Sequence, residues 1–354
     1  MACGNCEVLP GPLPARGTLY LAPPLAHTAG KLRQQLRDRS LQFDEPSPGV
    51  LRVALLEGAL VELASWLEKS LSSLELQDTR SLFCAEGVVP GLGQLIETDR
   101  LTNLLGRLRG DWLIELLERN ALRTHFQPIV RAKEPKQIFG YECLLRAEGK
   151  EGQTIGAPAL LDAGRAAGLS FQLDRAARLK AIEQARTFNV KAQLFINFLP
   201  TAIYEPSFCL RSTIEAIDRA QIAPSQVVFE VVESEELTDP NHLLNIMRHY
   251  RERGFRVALD DMGAGYSSLN LLSRLKPDFL KLDMELVRNV DSDPYKANIA
   301  RKLLELCRDL GIVSLGEGVE TPAELDWLQS HGVELVQGWL FAKAATPPPT
   351  FEHG

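Results

Sequence analysis

Carboxylates, one amide and one ammonium group recur in this chain at the ends of short apolar runs. Glu142 follows Tyr141, Asn197 lies between Ile196 and Phe198, and Glu230 and Glu233 frame two valines. Asp260 and Asp261 are adjacent, Lys281 is followed two positions on by Asp283, Glu317 and Glu320 frame Gly318 and Val319, and Gln337 ends the series. A single acidic residue after a strand ordinarily caps a helix or faces water. Glu142, Glu230, Glu233, Asp260, Asp261, Glu317 and Glu320 gathered at one rim would repel one another unless cations lay between them. Oxygen donors with one amide suit a hard divalent ion, Mg²⁺ or Mn²⁺. Adjacent aspartates can bridge two such ions, the arrangement that clamps attacking and leaving oxygens when a phosphodiester is hydrolysed. Lys281 adds a point charge for a phosphate or a nucleophilic water. Asp283 shares its strand face by the two-residue period and is placed to hold it.

Such groups meet only if the strands that carry them converge. Runs at 125–130, 138–145, 193–198, 227–232, 256–259, 279–282, 313–315 and 334–340 read as strands. Amphipathic segments at 159–168, 210–221, 241–254, 297–311 and 322–332 alternate with them. Gly168, Gly254, Gly311 and Gly332 stand where helices end. Eight strands with repeated crossover helices predict an α/β fold, a (β/α)8 TIM-like barrel whose chemistry collects at the strand C-termini. The first two runs are separated only by 131–137, too short for a helix. The barrel is therefore expected to be modified, with an antiparallel strand near its start. Residues 1–110 read differently: strands at 18–21 and 50–56, helices at 28–39 and 59–71, and Pro/Gly punctuation between them. The expected organisation is a small α/β or α+β sensory or regulatory module over 1–110, a linker helix over 111–120, the barrel over 121–346 and a tail over 347–354.

Residues 122–344 resemble the EAL domain, the cyclic-di-GMP-specific phosphodiesterases of bacteria. The motifs that carry the resemblance occur in order: F-Q-P-I-V at 126–130, E-C-L-L-R at 142–146, I-N-F at 196–198, E-V-V-E at 230–233, D-D-M-G-A-G-Y-S-S-L at 260–269, K-L-D at 281–283, E-G-V-E-T at 317–321 and Q-G-W-L-F at 337–341. Any one tripeptide is a weak signal, and the ordered set is a strong one. The resemblance implies hydrolysis of cyclic di-GMP to linear 5′-pGpG with two divalent cations. By the same resemblance Glu142, Asn197, Glu230 and Asp260 match the ligands of a first metal, and Asp260 and Asp261 match residues shared with or binding a second. Lys281 matches the lysine that holds the hydrolytic water, and Glu317 an essential glutamate discussed as a general base. Glu320 and Gln337 match positions that act behind the ligands or through water. Gln127 and Arg146 match substrate contacts, the arginine suited to a phosphate oxygen. Glu233 matches the anchor of the loop at 262–268. The family implies a homodimer, and a receptor without turnover is its second known mode. Cys143, Val232, Met262 and Gly316 depart from the usual residues without removing a matched ligand or Lys281.

The composition agrees with this reading. The chain has 354 residues, and 39 Lys+Arg against 46 Asp+Glu leave a net charge of −7, which argues against a basic face gripping long nucleic acid. A cyclic dinucleotide is a different case, because cations would cover the acidic rim. Six scattered cysteines suggest no disulfide framework, and no basic segment leading into an apolar run suggests a secretory leader or membrane insertion. The expected location is the cytoplasm. Cys3 and Cys6 read as thiols of a loose terminus rather than half a zinc site, and the sequence names no ligand for the N-terminal module.

Overall fold

The computed structural model describes residues 8–96, 98–231, 240–262 and 269–351, with Leu269 by its backbone alone. Glu233, Val232, most of the 262–268 loop, Cys3 and Cys6 lie outside the described residues. Two compact units are present. One comprises Leu9–Arg119 with Pro158–Ser170, the other Asn120–Ala157 with the residues from Phe171 onward.

In the first unit, strands β1 (Gly17–Ala22), β2 (Phe43–Ser47), β3 (Val50–Leu55), β4 (Arg80–Ala85) and β5 (Asp99–Arg100) form an antiparallel sheet in the order β2-β3-β1-β4-β5. Alternation buries Leu19, Leu21, Leu51 and Val53 against Leu32 and Leu36 of the helix Ala26–Asp38 and Leu63 and Leu67 of the helix Ala59–Ser70. The sequence reading missed β2, β4 and β5. β2 is an edge strand, FDEPS, with four exposed residues and no apolar alternation to betray it.

The helix read over 111–120 spans Leu101–Glu118, so it begins ten residues earlier than its pattern suggested. Gly106 and Gly110 hid its first half, since glycine weakens helix propensity. Both are explained by packing within the same unit: a Cβ on Gly106 would overlap the Ala166 carbonyl, and one on Gly110 would lie 2.7 Å from Cβ of Ala167. Gly106→Ala is therefore expected to destabilise this unit by about 1–3 kcal/mol despite alanine's better propensity, because the overlapped atom is backbone. A melting temperature at or above that of the wild type would contradict the close crossing.

The second unit is a barrel. Strands β6 (Leu122–Arg131), β7 (Glu134–Glu148), β9 (Gln193–Phe198), β10 (Val227–Val231), β11 (Arg256–Met262), β12 (Phe279–Leu282), β13 (Val313–Gly316) and β14 (Leu335–Gln337) follow one another around it, closed by pairing of β6 with β7. The short β8 (Thr154–Gly156) pairs with the end of β7. β6 runs antiparallel to β7, as the short 131–137 connection predicted, and antiparallel to β14 as well, while the pairs from β7 through β9 to β14 are parallel.

The two-residue period of these strands builds the interior in layers. Ile129, Phe195, Val228, Ala258, Phe279, Leu315 and Leu335 point inward and form one buried apolar cluster. Phe195 and Phe279 meet at 5.1 Å between ring centroids. On β7 the corresponding place is Gly140, where a Cβ would come 2.8 Å from the Gln193 carbonyl oxygen and 3.1 Å from the Phe195 ring. Two residues further toward the rim each strand, or for Glu317 the position just past β13, carries a polar side chain: Gln127, Glu142, Asn197, Glu230, Asp260, Lys281, Glu317 and Gln337. The apolar layer is thus a floor, and a polar ring stands on it.

Candidate active site

Lys281 is the hub of that ring. Only 1% of it is exposed, and its Nζ lies 2.8 Å from Glu230 Oε1, 2.8 Å from Glu317 Oε1, 3.0 Å from Asp260 Oδ1 and 3.7 Å from Glu142 Oε1. Asn197 Nδ2 donates to Glu142 Oε1 at 3.3 Å, and Gln337 Nε2 donates to Glu142 Oε2 at 2.6 Å. One ligand atom each from Glu142, Glu230 and Asp260 falls within a 4.8 Å span, and the same holds for Asp260, Asp261 and Glu317. Asp260 belongs to both groups. Asp261 reaches the second through a left-handed backbone, φ +57°, with its N–H donating to Asp260 Oδ1 at 2.9 Å. A β-bulge against β12 at this point turns consecutive side chains toward one place.

The charges do not balance. Glu142, Glu230, Asp260, Asp261 and Glu317 face one lysine. Burial pushes Glu230 and Glu317 well above the ordinary carboxylate range, with Lys281 opposing the shift and Asp260 and Glu142 adding to it. Asp260 is raised by burial, again against Lys281. Asp261 is pushed up to about 6 by burial and then by Asp260. Burial works against the charge on Lys281, but Asp260, Glu142, Glu230 and Glu317 outweigh it and hold the ammonium protonated. Without further cations some of these carboxylates must be protonated.

The donors fit a divalent ion. Glu230 Oε2 and Gln337 Oε1 are buried with no hydrogen-bond partner, an arrangement that costs free energy unless something positive meets it. Oxygen atoms on neighbouring strand ends, with no sulfur or imidazole in either group, are the donor set of Mg²⁺ or Mn²⁺.

Two expected positions, Asp283 and Glu320, turn away from the cluster. Asp283 does not hold Lys281: its Oδ1 accepts from the Glu285 N–H at 2.8 Å and caps the helix Met284–Val287. The strand ends at Leu282, so the two-residue period no longer fixes where Asp283 points. Glu320 turns to Arg288, Oε1 to Nη2 at 2.6 Å, and not to the carboxylate cluster. The loop that carries it turns through Gly318, φ +65°, where a Cβ would collide with Met284. Arg146 lies four residues past Glu142 on the same face of β7, half-buried, and Gln127 stands opposite Glu142 on β6. Both therefore edge the cluster without entering it.

Sequence reasoning missed Arg288 and Glu324, which shape the loop after Glu317. Glu324 is 1% exposed and accepts from the N–H groups of Asn289, Glu320 and Thr321 at 2.9–3.0 Å. Its signal was present in Thr321-x-x-Glu324, the pattern of a capping box. Cys143 packs in the core as its alternation suggested, and burial pushes its thiol well up.

Comparisons with known proteins agree with this geometry. A family model, EAL domain, matches residues 111–344. The probable cyclic di-GMP phosphodiesterase PdeB of Escherichia coli K12 is 31% identical over 235 residues, covering 66% of this chain and 44% of that protein. The chain thus matches less than half the length of that relative. A standalone EAL protein from Vibrio cholerae O395, in its c-di-GMP-bound form, is 40% identical with a TM-score of 0.60 over 65% of this chain and 95% of its own. Klebsiella pneumoniae BlrP1, in a manganese/cy-diGMP complex, is 25% identical with a TM-score of 0.57 over 93% of this chain and 96% of its own. With its motifs in order on a barrel of this topology, the chain belongs to the EAL domain family.

Proposed function

We propose that the barrel hydrolyses cyclic di-GMP to linear 5′-pGpG. The observation that carries this reading is the buried Lys281 inside a ring of carboxylates, with Asp260 common to two groups of metal-competent oxygens. Relatives named as cyclic di-GMP phosphodiesterases, and a neighbour bound to manganese and the dinucleotide, support it. Glu142, Asn197, Glu230 and Asp260 would hold one divalent cation, and Asp260 with Asp261 a second. Bound there, Mg²⁺ or Mn²⁺ would supply Lewis acidity to the attacking and leaving oxygens.

The chain's own groups do the rest. Lys281 Nζ offers a donor and a fixed positive charge to the attacking water and to the phosphoryl oxygens. Water attacks phosphorus in line with the 3′ oxygen, the P–O3′ bond breaks, and a 5′-phosphate and a 3′-hydroxyl result. The Glu317 carboxylate, beside Lys281, would take the water's proton. Arg146 would bind a phosphate oxygen and Gln127 would contact the substrate at the rim. Gln337 and Asn197 orient the Glu142 carboxylate, and Glu233 would anchor the loop at 262–268. The chain is read as a cytoplasmic homodimer whose N-terminal unit regulates the barrel. No described helix is long and apolar enough to cross a membrane.

Incubation with cyclic di-GMP and Mg²⁺ or Mn²⁺, followed by chromatography, is expected to yield pGpG. Glu142→Ala should lower the rate by about 100-fold or more, because it removes a ligand and the acceptor of Asn197 and Gln337 together. Binding of the dinucleotide without turnover would instead make the protein a receptor.

A further inference from the structure

A second buried charge pair, Arg178 with Asp174, lies outside the cluster around Lys281. Arg178 is 1% exposed and Asp174 5%, both on the helix Ser170–Thr187. Arg178 Nε and Nη2 donate to Asp174 Oδ2 at 3.0 and 2.7 Å, and its Nη1 donates to the Thr213 hydroxyl. Burial of such a pair offers little net stability compared with apolar residues of the same volume. A stability role alone therefore accounts poorly for it.

The remaining oxygen of the pair points to a different role. Asp174 Oδ1 accepts the backbone N–H of Leu199 at 2.8 Å. Leu199 follows Phe198, the last residue of β9, and stands two positions beyond Asn197. The same region packs behind β10: Tyr250 stacks on Phe229, the residue before Glu230, with centroids 3.8 Å apart, and meets Phe198 edge-on at 5.5 Å. Burial pushes the Tyr250 phenol up, with Arg178 opposing and Asp174 adding to the shift, so the pair and this ring share one pocket.

We propose that Asp174, oriented by Arg178, is a positioning residue for the metal site. By fixing the Leu199 N–H it holds the end of β9, and with it the Asn197 amide, in register with Glu142 and Glu230. The proposal rests on the metal-binding reading above. Groups that orient metal ligands without touching the ion commonly cost 10–100-fold in affinity when lost.

The test uses the full chain and Mn²⁺ alone, with binding followed by calorimetry and folding by circular dichroism and thermal melting. Asp174→Leu combined with Arg178→Met replaces both charges with apolar volume and leaves the Leu199 N–H without its acceptor. It is expected to fold and to bind Mn²⁺ about tenfold or more weakly. Leu199→Pro deletes the donor, together with the leucine side chain, and leaves Asp174 and Arg178 unchanged. Leu199 has φ −95° and ψ 112°, an extended conformation that proline enters with a φ shift of about 30°, so this variant keeps the test decisive if the double variant does not fold. It too is expected to bind about tenfold more weakly. Thr213→Val removes a contact of Arg178 without touching Leu199, and should lower the melting temperature while leaving Mn²⁺ affinity within about twofold. Folded double or proline variants with wild-type affinity would overturn the proposal. So would a Thr213→Val protein that loses affinity as much as they do. Failure of the wild-type protein to take up Mn²⁺, seen before any variant is made, would instead overturn the reading of the site itself.

Discussion

Lys281→Met, freed of divalent cations by a chelator, is expected to melt on the order of 10 °C below the wild type near neutral pH. Lys281 is the single ammonium among Glu142, Glu230, Asp260 and Glu317, and only 1% of it is exposed. Removing one partner of a buried ion pair costs about 3–5 kcal/mol, because the remaining charge is left uncompensated. Here several charges are left, and their remedy is protonation. The loss should therefore be smaller at pH 5.5 than at pH 7.5. Added Mn²⁺ should recover part of it by placing positive charge among the same oxygens. Turnover should not recover, since a preorganised donor in a water-poor site is worth roughly 100- to 1000-fold in rate. Calorimetry with chelator and with Mn²⁺ checks the first expectation, and chromatographic measurement of pGpG the second. A chelated variant as stable as the wild type would mean that the lysine does not compensate the ring.

The barrel and its ring were legible because two signals coincide there. Alternation marks the strands, and a polar residue two positions beyond each inward apolar one marks the rim. Phe195 with Asn197, Phe279 with Lys281 and Leu315 with Glu317 repeat this step. The helix Ser170–Thr187 was not legible for the opposite reason. Its buried face carries Asp174, Arg178 and Lys180, so its charged residues do not trace the exposed side. The N-terminal strands β2 and β4 lack the apolar alternation that marks β1 and β3. Spacing also stops short of side-chain direction once a strand ends. Asp283 was expected on Lys281 and caps a helix, and Glu320 was expected behind the metals and pairs with Arg288. Both partners were settled by loop geometry after β12 and β13, which carries no period.

Removal of divalent cations is expected to abolish turnover, and their effect on stability should depend on pH in a fixed direction. Asp261 titrates at about 6 in the folded chain, whereas an unfolded aspartate titrates near 3.9. Asp260, Glu230 and Glu317 are shifted the same way. A folded-state value above the unfolded one means that the folded chain binds more protons. The cation-free protein should accordingly lose stability as pH rises from about 4 through about 6, and further where Glu230 and Glu317 release theirs. Divalent ions compete with those protons for the same oxygens, so their affinity must rise over the same window. At a Mn²⁺ concentration 100 times its dissociation constant at pH 7.5, the folded state should gain about 2.7 kcal/mol. The same concentration at pH 5.5 should give clearly less, because protons must first be displaced. Melting curves at the two pH values, with chelator and with Mn²⁺, measure all four states. A Mn²⁺ stabilisation that is equal at both, or larger at pH 5.5, would show that the buried carboxylates are not where the metal binds.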